Sequence, residues 1–345
     1  MFHIQHSILK ATGWVKWFLL FYLLTLLPPN TIAQDARRTK SGIIIIGEGD
    51  SVRAVEPFNG TFERGMAYAN AANTYYNTFE GRVNVYCMVI PTAVALYCPN
   101  EYSMWTKDEY ASVKRLFHQL NDSVKAVDLF DIMARHANEE IYSRTDHHWA
   151  SLGAFYAAQE FARIAGVPFK DLNHYDKHVI NNYVGTMYRF SRDVAVKNAP
   201  ERFTWYVPRG VKYTTTYVKY KLGRDKKTVV SESAPEQGRF FFEYEDGNSA
   251  AYMTFMHGDL NTTTVKTSTK NGRRLLILKD SYGNALPGFL FFSFEEIHVV
   301  DCRYFTRNMI DYVYRYGISD ILFANNAGHA YTAATAESYM RYLEQ

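Results

Sequence analysis

Two short strings carry most of the chemistry that this sequence can offer. "TDHHW", residues 145–149, sets a carboxylate and two imidazoles side by side, and "LKDSYGN", residues 278–284, sets Ser281 between an aspartate and a tyrosine. A serine hydroxyl becomes a nucleophile when a base takes its proton, and that base needs an acid to fix its tautomer. Consecutive side chains diverge in a strand or a helix, so His147 and His148 are not expected to serve one atom. Asp146 and His148 stand two apart. In an irregular loop the carboxylate can fold back on Nδ1 of His148 and leave Nε2 free to face Ser281, while His147 packs or hydrogen-bonds structurally.

A third string, "FANNAGHAY" at 323–331, offers Asn325 and Asn326 as side-chain donors to an oxyanion. One donor in that role is worth about 3 kcal/mol of barrier. The neighbours Tyr282, Trp149 and Asn325, with Arg303 of the "DCRY" loop, are expected as substrate contacts. Each string also has a plain structural use: Ser is a common helix cap, and an Asn-Asn-Ala-Gly run makes a turn. Asp, His and His are metal-ligand types too. No HExxH spacing accompanies them and no cluster supplies a further ligand pattern, so neither a metal nor an organic cofactor is expected. Ser51 in "GEGDS" is a rival nucleophile. The stretch behind it, "VRAVEPF", is charged and broken by Pro57, so no helix N-terminus is expected there to supply backbone donors, and Ser281 is preferred.

These strings need a frame. From residue 42 short β-branched runs alternate with amphipathic ones. "GIIIIG", "RVNVYCMVI", "KAVDLF", "RLLILK", "EIHVVD" and "SDILFA" read as strands; 61–79, "KDEYASVKRLFHQL", "SLGAFYAAQEFARIAG", "NMIDYVYRYG" and the C-terminal "TAATAESYMRYLEQ" read as helices, with a loop and helix expected over "NALPGFLFF". In 61–79 Met66, Ala69 and Tyr76 are expected to share one face. Strands apolar on both sides, interleaved with helices, predict a mainly parallel sheet covered on both faces. In such a sheet function collects at the carboxyl ends of the strands. Residues 170–270 break the rhythm with "RFTWYVP", "YTTTYVKYKL", "KKTVV" and "RFFFEYE", read as a β-rich insertion.

The chain has 345 residues with 47% hydrophobic content, enough for one large core. A net charge of +3 and the lack of a basic run with interleaved aromatics argue against nucleic acid. The 27 Tyr, 23 Phe and 5 Trp suit either an aromatic core or faces that stack on sugar rings. Residues 1–33 read as a secretory signal: Lys10 and Lys16 precede "WFLLFYLLTLL", and Thr31 and Ala33 precede a cut at Gln34. The apolar run is shorter than the roughly 20 residues of a membrane span, with an uncleaved anchor as the alternative. Export to the periplasm or cell surface is therefore expected, with residues 34–345 as the mature domain. Cys87, Cys98 and Cys302 fit no zinc or redox spacing, and no disulfide is expected.

"TDHHWASLGAFYAAQEF", "LLILKDSYGNALPGFL", "IHVVDCRYF", "DILFANN" and "VYCMVIPTAVALY" together resemble the DHHW proteins, relatives of the alginate O-acetyltransferases, circularly permuted members of the SGNH hydrolase superfamily. The resemblance spans most of 42–326, without 185–250. It implies a flavodoxin-like three-layer α/β sandwich with a β-rich insertion at about 185–270. It implies a triad of Ser281, His148 and Asp146, with the Ser281 N–H and Asn326 as oxyanion donors. The superfamily's glycine donor has no counterpart in "DCRY", where Arg303 or a backbone N–H is expected instead. The implied activity is O-acetyl transfer or O-acetyl ester hydrolysis on a cell-envelope or secreted polysaccharide, with a membrane-bound acyltransferase as an acyl-supplying partner. The alternative is a glycan-binding or assembly protein that keeps the fold without turnover.

Overall fold

The computed structural model describes residues 35–345. The expected signal segment, 1–33, lies outside the described residues. The strands are β1 (Ala36–Arg38), β2 (Ile44–Ile46), β3 (Arg53–Val55), β4 (Asn84–Ile90), β5 (Lys125–Val127), β6 (Tyr175–Tyr183), β7 (Glu201–Pro208), β8 (Tyr213–Leu222), β9 (Val229–Glu232), β10 (Glu236–Gly238), β11 (Asn261–Thr267), β12 (Arg274–Lys279), β13 (Glu296–Asp301) and β14 (Asp320–Asn326). A central sheet runs β10-β8-β11-β13-β12-β14-β4-β5, with β9 paired to β8.

Five neighbouring strands, β13-β12-β14-β4-β5, are parallel. Counted from β12 they follow the order 2-1-3-4-5 of a doubly wound sheet, β4 and β5 taking the last two places. The inner strands are buried on both sides: Leu275 to Leu278, Ile321 to Ala324 and Val85 to Ile90 are all 0% exposed. Two helical layers provide that cover. Phe323 packs on Tyr75 and Tyr339, from helices Phe62–Thr78 and Ala333–Glu344. Tyr86, which pairs with Leu322 and so points the other way, packs on Phe161 of helix Ser151–Ala165.

The sheet is mixed where a mainly parallel one was expected. β11 pairs antiparallel with β13, and β8, β9 and β10 continue outward in the same sense. A hairpin-rich segment can extend a parallel edge only in this way, because short turns join antiparallel neighbours. "GIIIIG" is not in this sheet; β2 sits between β1 and β3 in a separate antiparallel sheet. β6 and β7 form a two-stranded ribbon of their own. "RFFFEYE" makes only an isolated bridge, Phe241 to Phe255. Helix Phe62–Thr78 buries Tyr68, Ala72 and Tyr75 rather than Met66 and Tyr76, a stripe turned by about one residue. Behind Ser281 stand two 3₁₀ turns, Ser281–Ala285 and Pro287–Leu290, where a helix was expected; Pro287 lacks the N–H that would continue the first into the second. The three cysteines are free thiols, Cys87 and Cys302 buried. No helix among the described residues is long and apolar enough to cross a membrane.

Candidate active site

Ser281 follows β12, and Asn326 ends the neighbouring strand β14, so both stand at the carboxyl edge of the parallel set, where the strand order reverses. Asp280 binds the two ends together. Its Oδ1 accepts the Tyr282 N–H at 2.8 Å, capping the turn, while its Oδ2 accepts the Asn326 N–H at 2.8 Å and the Asn325 amide at 3.3 Å. The N–H of Ser281, first in the turn, is among the donors that a helical start leaves unpaired.

The loop carrying Asp146 and His148 is closed by a bridge between Tyr142 and Trp149. Glu201, at the start of β7, gathers it: the carboxylate accepts the backbone N–H groups of Arg144 and Thr145 and the hydroxyls of Ser143 and Thr145. Asp146 then accepts four hydrogen bonds. Oδ1 takes the His148 N–H at 3.1 Å and Nδ1–H at 2.5 Å; Oδ2 takes the Thr186 N–H at 2.7 Å and hydroxyl at 2.9 Å. Gly185 leaves room for this, since a Cβ there would overlap the Asp146 Cβ and Oδ2. With Nδ1 holding its proton toward Asp146, His148 presents the Nε2 lone pair, which lies 2.9 Å from Ser281 Oγ.

The His148 ring is held on both faces. Tyr252 stacks on one at 3.7 Å between centroids and 5° between planes, and His147 covers the other at 3.7 Å and 37°. Tyr252 and Trp149 are fixed in turn by donating to the Tyr282 carbonyl at 2.9 and 2.8 Å. Burial pushes the Asp146 carboxyl up, but the His148 ring and its hydrogen bond, with His147 and the Thr186 N–H, hold it well below the usual carboxylate range. His147 donates from Nδ1 to the Thr186 hydroxyl at 2.5 Å. Its own value falls to about 3, first through burial and then through the neighbouring His148, so it stays neutral.

A cavity of about 330 Å³ opens in front of Ser281, lined also by Glu56, Pro57, Phe58, Thr92, His147, Phe190, Tyr282, Asn326, Gly328, His329 and Thr332. Asn326, which lines the cavity, accepts the His329 N–H on Oδ1 at 3.0 Å, and this leaves Nδ2 as its side-chain donor. Three expected substrate contacts are placed elsewhere. Asn325 is 0% exposed and spends its side chain on Tyr68, Tyr339 and Asp280. Trp149 is 1% exposed and braces Tyr282 from behind. Arg303 is bound by Asp301 and Asp259 and is not among the residues lining the cavity. Tyr282 does line the cavity, but its hydroxyl donates to the His147 carbonyl. Ser51 is exposed and bonded to the Glu48 carbonyl.

Asp146, His147 and His148 offer three ligand atoms within 4.8 Å of one another. The Asp146 oxygens and His148 Nδ1 are already spent on one another and on Thr186, so this group fits an acid–base relay better than an ion. Thr186, Glu201, Tyr252 and Asp280 were not singled out from sequence. Asp280, directly before the serine with its side chain available as a cap, carried the one signal that could have been read.

The chain was compared with known proteins. The family profile described as DHHW protein matches residues 28–300. A DHHW family protein from Eubacterium siraeum shares 36% identity at a TM-score of 0.79, over 89% of this chain and 97% of its own. Bacillus cereus PatB1, solved with a sulfonyl adduct, shares the fold at 17% identity and a TM-score of 0.68, over 87% of this chain and 99% of its own. The O-acetyltransferase domain of Pseudomonas putida AlgJ, at 12% identity and a TM-score of 0.46 over 89% and 99%, is too distant to carry an argument. No curated protein matches. With a profile match over most of its length and this degree of identity to a solved member, the chain belongs to the DHHW family.

Proposed function

We propose that the protein is an exported serine O-acyltransferase or O-acyl esterase that works on a polysaccharide, with Ser281 as nucleophile, His148 as base and Asp146 as its orienting acid. The carrying observation is the unbroken relay from Asp146 Oδ1 through the His148 ring to Ser281 Oγ, 2.9 Å away. Nε2 takes the hydroxyl proton as Oγ attacks the acyl carbonyl, and the resulting oxyanion is met by the Ser281 N–H and Asn326 Nδ2. Collapse expels the alcohol, which receives its proton from His148, and leaves acyl-Ser281. A sugar hydroxyl or water then gives its proton to His148 and attacks the acyl group, and His148 returns that proton to Oγ as Ser281 departs.

The 2-1-3-4-5 order with β4 and β5 arriving first supports a circularly permuted SGNH-type sandwich. The leader-like residues 1–33 support export, and an acyl-supplying membrane protein is the partner this implies. A sulfonyl reagent is the fitting probe, given the adduct in the PatB1 structure. Stoichiometric labelling at Ser281, with release of p-nitrophenol from p-nitrophenyl acetate, is expected for the native protein and absent in Ser281→Ala. An unlabelled native protein that still binds polysaccharide would overturn the enzymatic reading in favour of glycan binding.

A further inference from the structure

The cavity before Ser281 is lined by one carboxylate and by no Lys or Arg. Glu56, just past β3, is an exposed residue on its wall, and among the described residues lining the cavity it is the only acid, with no Lys or Arg. His147 stays neutral, so it does not offset that charge. The charges acting on its carboxylate are those of His148, Asp146 and His329, and no donor of the described residues is hydrogen-bonded to it. Desolvation by the walls raises its carboxyl above the ordinary value, with His148 and His329 pulling the other way. With no protein donor bonded to it, this exposed carboxylate is available to accept a hydrogen bond from a ligand in the cavity. Phe190, half-buried on the cavity wall, offers apolar surface to the C–H side of a sugar ring, and 330 Å³ is at the low end for ligand sites, room for one ring with a short acyl group.

Resting on the acyl-transfer reading above, we propose that Glu56 selects a hexosamine unit, whose nitrogen brings a hydrogen-bond donor and no negative charge beside the reacting hydroxyl, and turns away uronates. A uronate would face the Glu56 carboxylate with no Lys or Arg in the cavity lining, whereas an ammonium or amide N–H would complete it.

Acyl-enzyme formed from p-nitrophenyl acetate is offered glucosamine, N-acetylglucosamine or uronate oligomers of equal length, and kcat/KM for acetylated product is read by mass spectrometry. Both hexosamine oligomers should exceed the uronate about 10- to 150-fold, the worth of one hydrogen bond to a charged group. Preference for the glucosamine oligomer assigns an ammonium as the partner; preference for the N-acetylated one assigns the amide. Glu56→Gln should collapse the ratio and Glu56→Lys should invert it. Equal use of uronate by the native protein, or a ratio unmoved in Glu56→Gln, overturns the proposal. If no acyl-enzyme forms, the catalytic reading fails by itself, and calorimetric binding of the same oligomers to native protein and Glu56→Gln still decides the role of Glu56.

Discussion

Asp146→Asn tests the relay at its most constrained point. Asp146 accepts from four donors, two on His148 and two on Thr186. Asparagine has one oxygen and one NH₂ in the same volume. Each oxygen accepts one backbone N–H, but that of Thr186 is held at 2.7 Å and that of His148 at 3.1 Å, so the oxygen is expected to turn toward Thr186 and the NH₂ toward His148. His148 then accommodates the NH₂ by moving its ring proton from Nδ1 to Nε2, and the nitrogen that faced Ser281 as an acceptor becomes a donor. A base in the wrong tautomer costs about 10⁴ in kcat, or about 5.4 kcal/mol of barrier. The His148 backbone N–H also loses its acceptor, a stability cost of about 1–3 kcal/mol. The assay is the burst of p-nitrophenol from p-nitrophenyl acetate, with a thermal melt to confirm folding and ¹⁵N NMR of the ring to read the tautomer. A folded variant within about 10-fold of native rate, less than a positioned base usually contributes, would refute the relay.

Other substitutions probe separate parts. Asn326→Ala should lower kcat about 10²- to 10³-fold by removing an oxyanion donor, and cost about 1 kcal/mol of melting stability through the lost cap on His329. His148→Ala should lose the base entirely, whereas His147→Ala, losing a stacked ring and a bond to Thr186, should lose no more than about 10-fold; equal losses would reverse the assignment of the pair. Glu109 is buried, and burial outweighs its two Thr92 hydrogen bonds to push its carboxyl from 4.5 up to about 7. The folded protein therefore keeps a proton that the unfolded chain gives up, and that stabilisation, full below 4.5, is lost as pH rises through 7. The melting temperature should fall between about pH 5 and pH 8, and part of that fall should be missing in Glu109→Gln.

The proximity of Asp146, His148 and Ser281 could be read because they sit in short strings, and two-residue spacing alone allows Asp146 to reach His148. The five parallel strands were legible because burial on both faces leaves continuous apolar runs, as in "RLLILK". What was not legible came from afar. Thr186, Glu201 and Tyr252 reach the Asp146–His148 loop from segments 38 or more positions away along the chain, and nothing local in "GTMY", "PERF" or "AAYM" marks them as its supports. Arg303, Trp149 and Asn325 were expected at the substrate because polar or aromatic residues beside a motif attract that reading. Each is instead consumed in satisfying buried partners, a demand that appears only once the chain is folded. The antiparallel extension of the sheet was missed for a similar reason: alternating strands such as "YTTTYVKYKL" announce a half-exposed sheet but not whose edge they join.

The clamp of Tyr252 and His147 on the two faces of His148 has a kinetic corollary. An imidazole gripped above and below, with its far nitrogen tethered to a buried carboxylate, has no room to rotate between collecting a proton and delivering it. Under the proposed acyl transfer, delivery to the departing alcohol would use the same lone pair in the same place, so the travelling would be left to the substrate: the outgoing oxygen and the incoming one would visit a stationary ring in succession.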